Sequence, residues 1–182
     1  MFERSGGIES LSRMPGCELA DGAPDVRGWE VTSPTFEPVG VVRDLHVDLA
    51  LRCVRYLEVE VAGGARAGRR VLLPIGLARI DDVFDRVVVA APSCLDRVPD
   101  VRDVSGRLRR EFEREVLDAL GVVPGDGEFY DCPAFAEGPF LAARLARLSR
   151  RATDRGADPV HEEALVEDSA GLRLRVVDRA HA

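Results

Sequence analysis

Val54-Arg-Tyr-Leu-Glu-Val-Glu-Val61 sets apolar Val54, Tyr56, Leu57, Val59 and Val61 against charged Arg55, Glu58 and Glu60, the period of two that a half-buried strand requires. The alternation slips once, at Tyr56-Leu57, which predicts a bulge or a local twist. Outward from this stretch, Val39-Gly-Val-Val-Arg-Asp-Leu-His-Val47 also reads as strand, with Asp48 to Arg52 as the turn between the two. Ala62-Gly-Gly-Ala-Arg-Ala-Gly-Arg69 reads as a glycine-rich hairpin loop, and Val71-Leu-Leu-Pro74 and Arg86-Val-Val-Val-Ala90 as further strands. Trp29-Glu-Val31, delivered by a turn-rich segment from Glu18 to Gly28, adds an earlier one. Strands this short and closely spaced cannot bury two flat faces, so closure into a small β-barrel is the economical arrangement.

The flanks differ in character. Residues 1–17 mix Gly, Ser, Arg and Glu without sustained periodicity and read as a flexible leader to a barrel domain over 18–100. Residues 101–151 read as a helical extension. Within it, Ser105 to Leu120 spaces Leu108, Phe112, Val116 and Leu120 four apart and stops at Gly121, an amphipathic helix expected to pack on the barrel mouth. An aromatic loop from Phe129 to Phe135 follows, then a short basic helix from Phe140 to Arg151. The charged tail, 152–182, contains Leu172-Arg-Leu-Arg-Val-Val177, which alternates as a late strand does.

The 182-residue chain is 46% hydrophobic and 31% charged, a balance that suits one globular domain with irregular ends. A formal charge of −7 disfavours nucleic acid as a partner, because neutralising phosphates takes a concentrated basic face. Cys17, Cys53, Cys94 and Cys132 stand far apart without a C-x-x-C, so zinc-site and redox spacings are missing and buried, reduced thiols are expected, in keeping with a cytoplasmic setting. The longest apolar runs fall far short of a bilayer span, so any membrane association is expected to be peripheral.

No nucleophile with a base, carboxylate pair, metal cluster or phosphate loop is convincingly placed, which predicts a non-catalytic module binding no cofactor or metal directly. Asp44, His46 and Asp48 fall on one face of a strand under period-two geometry and form a candidate proton-transfer group, set against a plain solvated strand face. Arg55 and Glu58, beside Tyr56-Leu57, are candidate partner contacts or ordinary outer-face charges. Arg144, Arg147, Arg150 and Arg151, opposite Leu141, Leu145 and Leu148, suit anionic lipid headgroups or an acidic protein surface; the alternative packs that helix on its own barrel.

The stretches Val39 to Asp48, Val54 to Val61, Val71-Leu-Leu-Pro-Ile-Gly-Leu-Ala-Arg-Ile80 and Asp85 to Val89 together resemble a PRC-barrel domain, which implies a mainly β fold: a small PRC-type barrel with a C-terminal helical extension. Pro24 to Val31, Arg55 to Gly64, Val98-Pro99 and the helix before Gly121 resemble the cytoplasmic domain of the H subunit of purple-type photosynthetic reaction centres. That resemblance implies a cap on the cytoplasmic face of quinone-binding membrane subunits, supporting assembly and proton delivery to the secondary quinone. By position, Asp48 matches an acidic residue of the proton route and Arg55 the following Arg, whereas the family's intervening Glu falls at Leu51, which carries no proton. The H subunit also has an N-terminal transmembrane helix where this chain has a polar stretch, which implies a separate transmembrane anchor chain. The other members of the family imply alternatives: a stand-alone soluble adaptor or stress-related protein, or an RNA-processing module of the ribosome-maturation kind, the last disfavoured by the acidic charge.

Overall fold

A computed structural model describes residues 7–19, 23–64, 67–104, 106–124, 128–136 and 176–178. The strands run β1 (Ile8–Ser10), β2 (Cys17–Leu19), β3 (Glu30–Thr32), β4 (Pro38–Asp48), β5 (Cys53–Val61), β6 (Arg70–Pro74), β7 (Ala78–Asp81), β8 (Arg86–Val89) and β9 (Val176–Asp178). Among the described residues there is one α-helix, α1 (Arg110–Leu120). Seven strands form one sheet in the order β6-β5-β4-β3-β8-β7, with β1 added to β4, while β2 pairs with β9 separately. Among the described strands only β3 and β8 run parallel. The sheet curls into a partly open barrel whose end strands, β6 and β7, are joined through a short 3-10 turn, Ile75–Leu77, instead of a ladder.

Long β4 is the spine. It pairs with β5 along one edge and on the other with β3 through its first half and β1 through its second. Two bulges set its faces: the β4–β5 register skips Arg43 on β4 and Arg55 on β5. Residues directly opposite in an antiparallel pair share a face. Val42 with Val59, Leu45 with Leu57 and Val47 with Val54 therefore face one way, into the barrel; Asp44 with Glu58 and His46 with Tyr56 face the other. The slip at Tyr56-Leu57 is thus a bulge centred one residue earlier, at Arg55, and its counterpart at Arg43 turns Asp44 and His46 outward.

That outward face is covered, which departs from several expectations. Ile8 and Leu11 are buried and β1 pairs with β4 over Ile8↔Asp48 to Ser10↔His46, so residues 7–17 are part of the fold and not a flexible leader. The helix begins at Arg110, not near Ser105, because the Leu108 backbone N–H donates to the Ile8 carbonyl in an isolated bridge, which holds the chain extended there. It ends at Gly121, whose φ of 72° suits the left-handed cap glycine tolerates. Its buried face is Glu113, Val116 and Leu117, so a carboxyl lies at the centre of the apolar stripe. The 3-10 turn Pro133–Phe135 seats Phe135 edge-on against Tyr56 and lies so close to Gly76 that a Cβ there would come within 2.5 Å of the Pro133 carbonyl. Cys94 and Cys132 are free thiols, and the late strand appears as β9 on β2.

Candidate functional site

Two polar clusters occupy the covered outer face of β4 and β5. In the first, the Asp44 carboxylate accepts from the Ser10 and Ser12 hydroxyls and from the backbone N–H groups of Ser12 and Leu45. Burial pushes this carboxyl up, and the serine hydroxyls with the Leu45 amide more than offset it, leaving it below its ordinary value. His46 Nε2 lies 2.9 Å from Glu58 Oε2, and the other Glu58 oxygen accepts from Arg70 at 3.1 Å. Glu58 is likewise raised by burial but lowered further by His46 and Arg70, so its net shift is downward. An ionised carboxylate only accepts; His46 Nε2 therefore carries the hydrogen, and Nδ1, buried and without a partner, is left over. These residues line a cleft of about 230 Å³ closed by Val101, Arg102, Val104 and Leu108, with Arg13 also in its wall.

In the second cluster, Asp48 holds the β4–β5 turn by accepting from the Ala50 and Leu51 amides, and its other oxygen lies 3.6 Å from Arg55 Nε. The Arg55 guanidinium sits 4.4 Å from the centre of the Tyr130 ring, and Arg110 lies 4.6 Å from the same ring. Tyr130 and Tyr56 both donate to Glu113 Oε2, at 2.5 and 2.9 Å, with Arg110 at 3.5 Å. Burial raises the Glu113 carboxyl more than the Tyr130 hydroxyl and Arg110 lower it, so its net shift is upward, and the neighbouring Asp48 charge adds to the rise. Both tyrosine hydroxyls are pushed up, first by burial and then by the Glu113 charge.

Asp44, His46 and Asp48 do share one face, yet their partners divide them: Asp44 and His46 belong to the cleft, Asp48 to the Arg55–Tyr130–Glu113 cluster. The expectation of Arg55 and Glu58 as partner contacts is corrected. Their side chains are 12% and 9% exposed: Arg55 lies over the Tyr130 ring, Glu58 lines a cleft with Val101 and Val104, and both are engaged internally. Arg144, Arg147, Arg150 and Arg151 lie outside the described residues. Sequence reading missed Ser10, Ser12, Arg70, Glu113 and Tyr130. For Glu113 a signal existed, since Val116 and Leu117 at i+3 and i+4 place it on their own helix face.

Exposure points elsewhere. On the hairpin tips Phe36 and Phe84, 57% and 68% exposed, lie against the Arg86 guanidinium, which also bonds Asp81. Among the described residues no group of His, Cys, Asp and Glu is arranged to hold a metal ion, and no helix is long and apolar enough to cross a membrane. Residues 20–94, which include the whole of β3 to β8, match the family model for the PRC-barrel domain.

Proposed function

From the PRC-barrel domain that this chain carries, we propose a non-catalytic subunit that caps the quinone-binding core of a type-II photosynthetic reaction centre from the cytoplasmic side and supports proton delivery to its secondary quinone. The observation that carries the reading is the second cluster. Asp48 and Arg55, the positions matched to the H-subunit proton route, are joined through Tyr130 to a buried carboxyl, Glu113. Burying ionisable groups costs several kcal/mol, and at Glu113 burial raises the carboxyl toward its protonated form. A scaffold alone would be served by the valine and leucine that fill the rest of this domain. Leu51, 46% exposed on the turn, carries no proton, and Glu113 is the carboxyl that replaces it in the sequence Asp48, Arg55, Tyr130, Glu113.

The docking half of the reading draws on the strand resemblances and on the Phe36–Arg86–Phe84 stack, since exposed aromatic rings and arginine are enriched among the anchors of protein interfaces. Membrane subunits are the partners proposed, with a separate transmembrane anchor chain, and lipid headgroups are a secondary contact.

The test is affinity purification of the tagged chain from detergent-solubilised membranes of its native host, read by mass spectrometry and absorption. Co-purifying quinone-binding subunits and bacteriochlorophyll bands are expected. In that complex Glu113→Gln should slow proton uptake on quinone reduction about tenfold or more. A colourless eluate containing only soluble proteins rejects the capping role and leaves a stand-alone PRC-barrel adaptor.

A further inference from the structure

Of the five large hydrophobic side chains that the described residues leave exposed, three lie at one place: Phe36 on the β3–β4 loop and Val83 and Phe84 on the β7–β8 hairpin, 57%, 58% and 68% exposed. Arg86 joins the two loops, its guanidinium 4.3 Å from the Phe36 ring centre and 4.7 Å from that of Phe84, and is itself bonded to Asp81. Phe36 also carries backbone strain. Its amide donates to the Ser33 carbonyl and the Ser33 amide to that of Glu37, a tight loop that sets residue 36 at a φ of 65°, where glycine or asparagine is the usual occupant. A bulky ring held there and more than half exposed contributes little to the packing of the barrel, and strain of this kind collects at functional sites.

The charges around these rings are one-sided. Besides the Arg86–Asp81 pair, residues 30–38 and 79–88 carry Glu30, Glu37, Asp82 and Asp85 against Arg79, which leaves the two loops and their strand ends with a formal charge of −3. We infer that the two loop tips enter an apolar recess on the membrane partner, bordered by arginine and lysine of its cytoplasmic loops. The contact rests on the capping role proposed above and names the face that performs it. Cytoplasmic loops of membrane proteins carry an excess of Lys and Arg, the complement of this acidic rim, and opposite charge around an apolar centre fixes the register of such a contact. Anionic lipid headgroups and a second copy of this chain would each meet like charge. Rings that project from the surface do not enclose a small molecule.

Tagged full-length parent and variants, each expressed in place of the native chain, are used to recover the quinone-binding subunits from detergent-solubilised host membranes at stepped salt, and each purified chain is unfolded in urea. Phe36→Asn relieves the backbone and removes the ring. Its urea midpoint should equal or exceed the parent's, while recovery of the subunits falls about tenfold or more, the loss expected of a central interface aromatic. Phe84→Ser, at the exposed tip, should lose recovery to the same extent with its midpoint unchanged. Glu37→Gln combined with Asp85→Asn, which suits the left-handed backbone at residue 85, should bind more weakly at low salt and flatten the salt dependence. If the parent recovers the subunits and both aromatic variants match it, the docking surface is overturned and the capping role stands. Unchanged binding and salt dependence in the Glu37/Asp85 variant overturn the basic border. A lowered midpoint in Phe36→Asn with full recovery by Phe84→Ser assigns the rings to the fold and also overturns the contact. A parent that recovers no quinone-binding subunits removes the capping role, and this contact with it.

Discussion

Glu113 and Asp44 are both buried carboxyls, yet the groups around them push them in opposite directions and give them opposite pH signatures. Asp44 receives four donors and stays ionised; Glu113 receives two tyrosine hydroxyls inside an apolar face and is raised. A carboxyl raised in the folded state stabilises the fold below its unfolded value and loses that contribution as pH rises through the folded value. A carboxyl lowered on folding behaves in reverse, losing its contribution as pH falls. Urea denaturation of Glu113→Gln should therefore show a flatter decline in stability than the parent as pH rises from about 4.3, the ordinary Glu value. Asp44→Asn should flatten the acid limb instead. A Glu113→Gln profile parallel to the parent's across neutral pH would show that Glu113 is ionised in the native protein. Neither assignment was readable beforehand: Asp44 was visible as an acidic residue on a strand, but its donors, Ser10 and Ser12, come from a segment without periodicity.

For the β4–β5 pair, a single inserted residue decides which side chains meet. Arg43 projects to solvent and pairs with Glu60, so its side chain matters little, while its presence in the backbone shifts the phase of the strand. Removing the residue would leave Val42 and Asp44 adjacent on opposite faces and still opposite Val59 and Glu58, so neither the hydrophobic nor the charged set would change face. Deletion of Arg43 should therefore keep a cooperative thermal transition, and Arg43→Ala should melt close to the parent; loss of cooperativity in the deletion would contradict the bulge assignment. The bulge on β5 was legible as adjacent apolar residues at Tyr56-Leu57. Its partner was not, because Val41-Val42-Arg43-Asp44-Leu45 is compatible with either phase. Propensity also misplaced the start of α1, since a tertiary hydrogen bond from Leu108 to Ile8 overrides the helical spacing of that residue.

Across the whole molecule, the described residues between Val101 and Phe135 convert an otherwise open strand face into a second buried layer. Tyr56 is the join: its ring meets Phe135 at 5.2 Å and its hydroxyl meets Glu113, while Phe129 and Tyr130 complete the aromatic cluster. Phe135→Ala removes the ring at the centre of this cluster and should cost about 3–5 kcal/mol in urea denaturation, the range for a large aromatic truncated in a core. Barrel and cover share this layer, so the loss should lower a single transition. Two separated transitions would mean that the cover folds as an independent unit.

The amino-acid sequence alone determined the strands around Val39–Val47, Val54–Val61, Val71–Pro74 and Arg86–Val89, though not β7, together with the turn chemistry between them, the barrel class and the presence of an amphipathic helix before Gly121. All of these follow from local periodicity, glycine and proline, and so are written in neighbouring residues. Only the tertiary structure decided that Glu58 and Arg55 are covered, that Asp48 belongs with Glu113 and not with Asp44, and that His46 has one nitrogen without a partner. Each depends on contacts between residues far apart in the chain, such as Ser10 with Asp44 and Tyr56 with Glu113, and on bulges that reverse the facing of a strand; the short-range pattern carries neither.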